Sequence, residues 1–255
     1  MTIFDSHAHY DDARFDEDRA AVLSALPAAG VRYVCNIGSD LPSSRRSVAL
    51  AEQYPFVWAA VGIHPENAGD VPEGAYDELR ALLAHPRTVA LGEIGLDYHY
   101  DDGPDKETQA AVFERQMALA EELSVPVAIH SREAMGDTMD VVRRHPAVRG
   151  VFHCYSGSVE TALELTARGW YLGFTGVITF SNARRALEVL RAVPRDRILA
   201  ETDCPYLAPA PHRGARCDSR LLPLTLGRMA EVLELTPEGA AALTCDNARR
   251  LYHIV

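Results

Sequence analysis

Short apolar, β-branched runs alternate along the chain with longer stretches in which apolar residues return every three or four positions. The short runs predict strands over Thr2–Asp5, Val31–Ile37, Val57–Ile63, Val89–Glu93, Val127–His130, Val151–His153, Tyr171–Phe174 and Ile198–Thr202. Their starts recur about every 28 residues, the length of one strand-plus-helix unit of a (β/α)8 barrel. The longer stretches predict helices over Asp16–Ala29, Ser43–Tyr54, Tyr76–Ala84, Glu107–Leu123, Ala134–His145, Val159–Arg168, Ala183–Val193 and Leu221–Leu235. In Glu107–Leu123 the apolar Ala110, Phe113, Met117, Ala120 and Leu123 fall at helical spacing, while Glu114, Arg115, Glu121 and Glu122 take the wet side. Gly30, Gly150 and Gly169 fall just past helix ends and read as helix stops. Pro237–Leu251 is additional helix after the eighth unit.

The alternative α/β architecture is a doubly wound open sheet, which often carries a glycine-rich first turn. Here the first strand runs instead into Ser6-His7-Ala8-His9, with no GxGxxG and no P-loop. No linker, repeat or low-complexity stretch divides the sequence. The prediction is an α/β protein, a single-domain (β/α)8 TIM barrel over residues 1–255.

Composition changes this picture little. At 255 residues, 47% hydrophobic and 24% charged, the chain is ordinary globular material, long enough for one barrel. No apolar run reaches membrane-spanning length, and the first ten residues lack the basic and apolar regions of a secretory signal. Five cysteines with no CxxC pair point to a reduced, cytoplasmic setting. The net charge of −11 excludes a broad non-specific duplex-binding surface but permits a grip on a few nucleotides.

The histidines carry the chemistry. His7 and His9 follow the first predicted strand, His64 the third, Glu93 ends the fourth, His130 the fifth, His153 the sixth, and Asp203 follows the eighth. In a barrel every strand's C-terminal end opens onto one face, so these side chains are expected to converge there. A Glu and an Asp buried among histidines need a cation for balance. His7 and His9, two apart on an extended segment, point the same way and can clamp one ion. His130 and His153 on neighbouring strands can hold a second. Glu93 can give one oxygen to each, and Asp203 can bind the first ion and accept a proton from water. A carboxylated-lysine bridge is excluded, because the single lysine, Lys106, lies at the start of a helix. His85, His145, His99, His212 and His253 fall at helix ends, in loops or in the tail and read as non-ligands.

The segments FDSHAHYD (4–11), VGIHPE (61–66), GEIGLDYHYD (92–101), VPVAIHSREA (125–134), FHCYSG (152–157) and ETDCPYL (201–207) closely resemble, in order, the TatD-type metal-dependent deoxyribonucleases. The likeness runs from residue 4 to about residue 251. It implies a TIM-barrel metal-dependent hydrolase acting on DNA phosphodiesters with two divalent ions. By motif it implies His7, His9, Glu93, His130, His153 and Asp203 as ligands, with His64 near the scissile phosphate. The stretch Pro211–Asp218 departs from the family's usual loop but keeps Arg213 and Arg216, which with Arg132 are the expected phosphate contacts. Tyr98 and Tyr206 read first as packing residues, with a sugar or base contact as the second reading.

The expected activity is 3′-to-5′ exonuclease action on single-stranded DNA, with no membrane and no obligate protein partner. Zn, Mn and Mg all remain open as the metal: imidazoles favour the first two, and the resemblance implies the third. Two rivals share these residues. One is hydrolysis of a carboxylic ester or amide, such as an aminoacyl-tRNA ester; the other is a metal-binding module without turnover.

Overall fold

The computed structural model describes residues 1–255, in which eight strands form one parallel sheet in the order β1 to β8. A helix follows each strand, and the segment after β8 bridges back to β1 through Ala8 and Cys204. This is the (β/α)8 barrel that the strand spacing predicts.

Two compact units make up the chain. Residues 37–153 form one, with β3 (Val57–Val61), β4 (Thr88–Asp97), β5 (Val127–Arg132) and β6 (Gly150–Phe152). Helices α2 (Leu41–Gln53), α3 (Ala75–Leu83), α4 (Lys106–Leu123) and α5 (Met135–Arg144) accompany them. Two starts are closed by acidic caps: Asp40 accepts the Ser43 N–H at 2.6 Å, and Asp105 the Thr108 N–H at 2.8 Å. α4 does more than cover the sheet. Its buried Gln116 binds both backbone groups of Ile63, at 2.8 and 2.9 Å, and Gln109 does the same for Asp97 at 2.9 and 2.8 Å. Two glutamines two turns apart on one helix face thus clamp the ends of two neighbouring strands.

Residues 1–36 and 154–255 form the other unit. It holds β1 (Ile3–Ala8), β7 (Tyr171–Phe174), β8 (Ile198–Ala200) and all but the last residue of β2 (Val31–Ile37). Its helices are α1 (Arg19–Ala25), α6 (Val159–Ala167), α7 (Arg184–Ala192), α8 (Leu222–Leu233) and α9 (Pro237–Leu251). β1 is buried along its whole length, as a strand covered on both faces must be. Its Asp5 carboxylate accepts from Thr202 Oγ1 and Ser219 Oγ, each at 2.6 Å, and from the Thr202 N–H at 2.9 Å. Burial nevertheless pushes its pKa up to about 7. The added α9 docks beneath the sheet: Asn247 reaches the carbonyls of Arg195 and Ile198, and Tyr252 donates to Ser6 O.

Several predicted boundaries shift. β1 and β4 run further than their apolar patterns, to Ala8 and Asp97, because polar residues there still complete the ladder. The first predicted helix is shorter, with 3-10 turns at Ala13–Phe15 and Pro27–Ala29 around α1. Gly30 and Gly169 adopt the left-handed conformation expected of helix stops, but Gly150 does not. It begins β6, where a Cβ would strike the Val127 carbonyl of β5.

Gly95, inside β4, has φ +143°, and a Cβ there would run into the His130 carbonyl oxygen. Gly95→Ala should therefore destabilise the chain by about 3 kcal/mol or more, read as a lowered urea midpoint.

Candidate metal centre

In the 37–153 unit, three histidines surround one buried carboxylate. Glu93 is 4% exposed. Its Oε1 lies 2.8 Å from His153 Nε2, 2.9 Å from His130 Nδ1 and 3.8 Å from His64 Nε2. His130 Nδ1 and His153 Nε2 are 3.2 Å apart. The other nitrogen of His130, Nε2, sits 2.8 Å from Asp97 Oδ2. Asp97 is held in turn by the His99 N–H on Oδ1 at 2.9 Å, besides the Gln109 clamp on its backbone.

The electrostatics follow from this packing. Burial depresses His130, but hydrogen bonds to Asp97 and Glu93 outweigh it and raise its pKa above the ordinary imidazole value. Burial likewise pushes Asp97 up, yet the bonds from His130 and the His99 N–H leave it below the ordinary carboxylate range. His64 is driven down to about 3 by burial and then by His130, and is neutral. Its Nδ1 accepts the Glu66 N–H at 3.2 Å, which leaves the proton on Nε2, the nitrogen nearer Glu93.

The other unit carries a second group. His7 lies within β1 and His9 two residues on, and their Nε2 atoms are 3.1 Å apart, as alternation along an extended segment predicts. Asp203 Oδ1 is 3.3 Å from His9 Nε2 and 3.8 Å from His7 Nε2. The backbone brings them together: the Asp203 N–H donates to His7 O at 2.9 Å, and the His9 N–H to Cys204 O at 2.8 Å. Asp203 takes φ +59°, a conformation that aspartate tolerates better than bulkier residues.

Both groups have the donor chemistry of a divalent-metal site. An ion bound at about 2.0–2.2 Å keeps neighbouring donor atoms about 3.0–3.6 Å apart. The spacings of Glu93, His130 and His153 are close to or slightly inside that range, and those of His7, His9 and Asp203 span it. Glu93, His130 and His153 can offer one donor atom each to a common ion. The Asp97 carboxylate accepts from His130 Nε2 and so leaves Nδ1, the nitrogen beside Glu93, as the one that could bind a metal.

The expected phosphate contacts are less uniform. Arg216 is committed to the fold: it forks onto Asp18 at 2.8 and 2.6 Å and donates to Arg14 O. Arg213 lies over the Phe180 ring at 4.5 Å. Arg132 donates to the hydroxyl of the exposed Tyr100 at 3.2 Å. Tyr98 is a packing residue, bonded to Asp137 with Lys106 over its ring. Tyr206 packs at the rim, with Arg14 over its ring and 47% of the residue exposed. Of the histidines read as non-ligands, His85 pairs with Glu52, and His145 is bonded by Glu121 and Glu114.

A model of the family described as TatD related DNase matches residues 4–253. The metal-dependent hydrolase YabD of Bacillus subtilis, itself uncharacterised, is 40% identical over 99% of both chains. A protein named 3′-5′ ssDNA/RNA exonuclease TatD, from Cronobacter sakazakii, is 34% identical over 98% of this chain and 97% of its own. The crystal structure of YJJV, a TatD homologue from Escherichia coli K12, superposes with a TM-score of 0.93 at 28% identity, covering 99% of this chain and 98% of the other.

Asp97, Gln109 and Gln116 were not singled out from the sequence. The available signal was spacing: Asp97 follows Glu93 by four residues in what is one long strand, but the apolar pattern ends at Glu93. Asp97→Ala should weaken divalent-ion binding about 10- to 100-fold by chelator competition. Asp97→Asn should lose less, because its amide oxygen still accepts the His130 Nε2–H.

Proposed function

The chain belongs to the TatD-related DNase family and is a metal-dependent hydrolase, and from that premise we propose that it removes nucleotides from the 3′ ends of single-stranded DNA. The observation that carries this reading is the pair of histidine–carboxylate groups, accompanied by relatives of near-full coverage named 3′-5′ ssDNA/RNA exonuclease.

His7, His9 and Asp203 are proposed to hold one divalent ion, and Glu93, His130 and His153 a second. Such ions, when bound, supply Lewis-acid polarisation of the phosphate and lower the pKa of water. The residues do the rest. Asp203 accepts the proton of the attacking water. His64, neutral with its proton on Nε2, donates a hydrogen bond toward oxygen as negative charge builds there. Arg213 orients a neighbouring phosphate, a role for which Arg216 is less suited because Asp18 already satisfies its fork. With few arginines engaged on a chain of net charge −11, the count of neutralised phosphates is small and the salt dependence shallow.

Metal-loaded protein incubated with 3′-labelled single strands, the matching duplex, RNA and an aminoacyl-tRNA ester tests the reading. Single-stranded DNA should be degraded fastest, and chelation should abolish turnover. Turnover of the ester alone, or efficient cutting of closed circular duplex, would overturn it. Asp203→Asn should leave the melting temperature near its original value while lowering kcat about 10²- to 10⁴-fold. A lowered melting temperature with a near-normal rate would return Asp203 to the scaffold.

A further inference from the structure

Among the large apolar or aromatic side chains left in water, Tyr206 stands out by what holds it. The guanidinium of Arg14 lies 3.7 Å from the centre of its ring and covers one face, while 47% of the residue stays exposed. Arg14 is itself immobilised, its Nε and Nη2 donating to the two oxygens of Asp12 at 3.1 Å each. The Tyr206 hydroxyl donates to the same carboxylate at 3.3 Å. An exposed aromatic ring is thus braced from one face and from its tip.

Its position is as telling as its rigidity. The Tyr206 N–H donates to the carbonyl of Asp203 at 2.9 Å, and the Asp12 N–H donates to the carbonyl of His9 at 3.1 Å. Each half of the brace therefore hangs one turn from a residue of the His7–His9–Asp203 group. Asp12 and Arg14 cancel each other's charge, so the platform neither attracts nor repels phosphate and presents mainly a flat π surface. Planar, uncharged, unpaired rings are what such a surface takes, and every nucleobase offers one. A base inside a duplex has both faces already stacked.

We propose that Tyr206, stiffened by Arg14 and Asp12, is the stacking platform for an unpaired nucleobase of the substrate strand next to the scissile phosphate. The inference rests on the nuclease reading above and adds to it a source of single-strand preference that needs no base-specific hydrogen bond. Arg14 contributes as a positioning residue, acting through the ring.

The test compares metal-loaded wild type, Tyr206→Ala and Tyr206→Phe on 3′-labelled single strands that carry either a normal or an abasic nucleotide at the end. Wild type should prefer the normal end by about 10-fold in kcat/KM, and Tyr206→Ala should lose most of that preference. Tyr206→Phe keeps the ring and gives up the Asp12 bond, so it should retain the preference; a merely structural role for that bond would move Tyr206→Phe as well. In parallel, an oligonucleotide ending in 2-aminopurine is titrated onto each protein in chelator, where no turnover occurs. Quenching that depends on the ring supports the platform. Equal quenching by wild type and Tyr206→Ala, no quenching by any protein, or an undiminished preference in Tyr206→Ala overturns it. Wild type that binds the 2-aminopurine strand through Tyr206 yet hydrolyses no nucleic acid would instead sink the nuclease reading and leave a base-binding site.

Discussion

A carboxylate buried among imidazoles has to be neutralised, and much of the surrounding architecture follows from that need. Glu93 is almost removed from water, with nitrogens of three histidines within 3.8 Å of a single oxygen. Asp97 adds a second carboxylate on the far side of His130. Two anions flanking one imidazole raise its pKa against the effect of burial, the same pull that would favour a cation there. The same arrangement sets which nitrogen of His130 faces inward, a choice the imidazole alone would leave open.

Holding such a group requires strand ends that do not fray. α4 provides this with Gln116 and Gln109, each satisfying a backbone N–H and C=O at the end of a strand where the ladder would otherwise leave them to water. In the other unit the role falls to backbone bonds between residues 7–9 and 203–204, and to the buried Asp5 with Thr202 and Ser219. Asp5 is therefore a neighbour of the histidine group in sequence but a brace in function. Its lone pairs are spent on hydroxyls and a backbone N–H, which tie β1 to the segments after β8 and before α8.

Arginine is abundant at the rim, yet most of it is already spoken for. Arg216 binds Asp18, Arg14 binds Asp12 and lies on Tyr206, and Arg132 reaches Tyr100. A guanidinium forked onto a carboxylate has little left to offer a phosphate, whereas one lying over a ring stiffens that ring for stacking. Counting basic residues near the mouth therefore overstates the charge available to substrate. It is the pairing that sorts anchors from contacts.

The strand-and-helix alternation was legible because apolar periodicity is local, and it predicted all eight strands, most of the helices and α9 at Pro237–Leu251. The metal-site histidines were legible for a related reason: each sits at or just past the end of an apolar run, so position along the strand and side-chain chemistry coincide. Asp97 escaped because β4 continues through residues that break the apolar pattern, its ladder sustained by neighbours distant in sequence. Gln109 and Gln116 escaped because a glutamine in a helix looks like surface until the helix is packed, and both turn out to be buried against strand ends. Arg216 and Tyr206 exchanged expected roles, one becoming an anchor and the other an exposed ring, because an arginine's partner lies some 200 positions away along the chain. Residue types and their spacing were enough to place the chemistry at the strand ends. Which side chains are already satisfied emerges with the packed fold, since a hydrogen bond or ion pair between distant residues leaves no mark in the local pattern of either one.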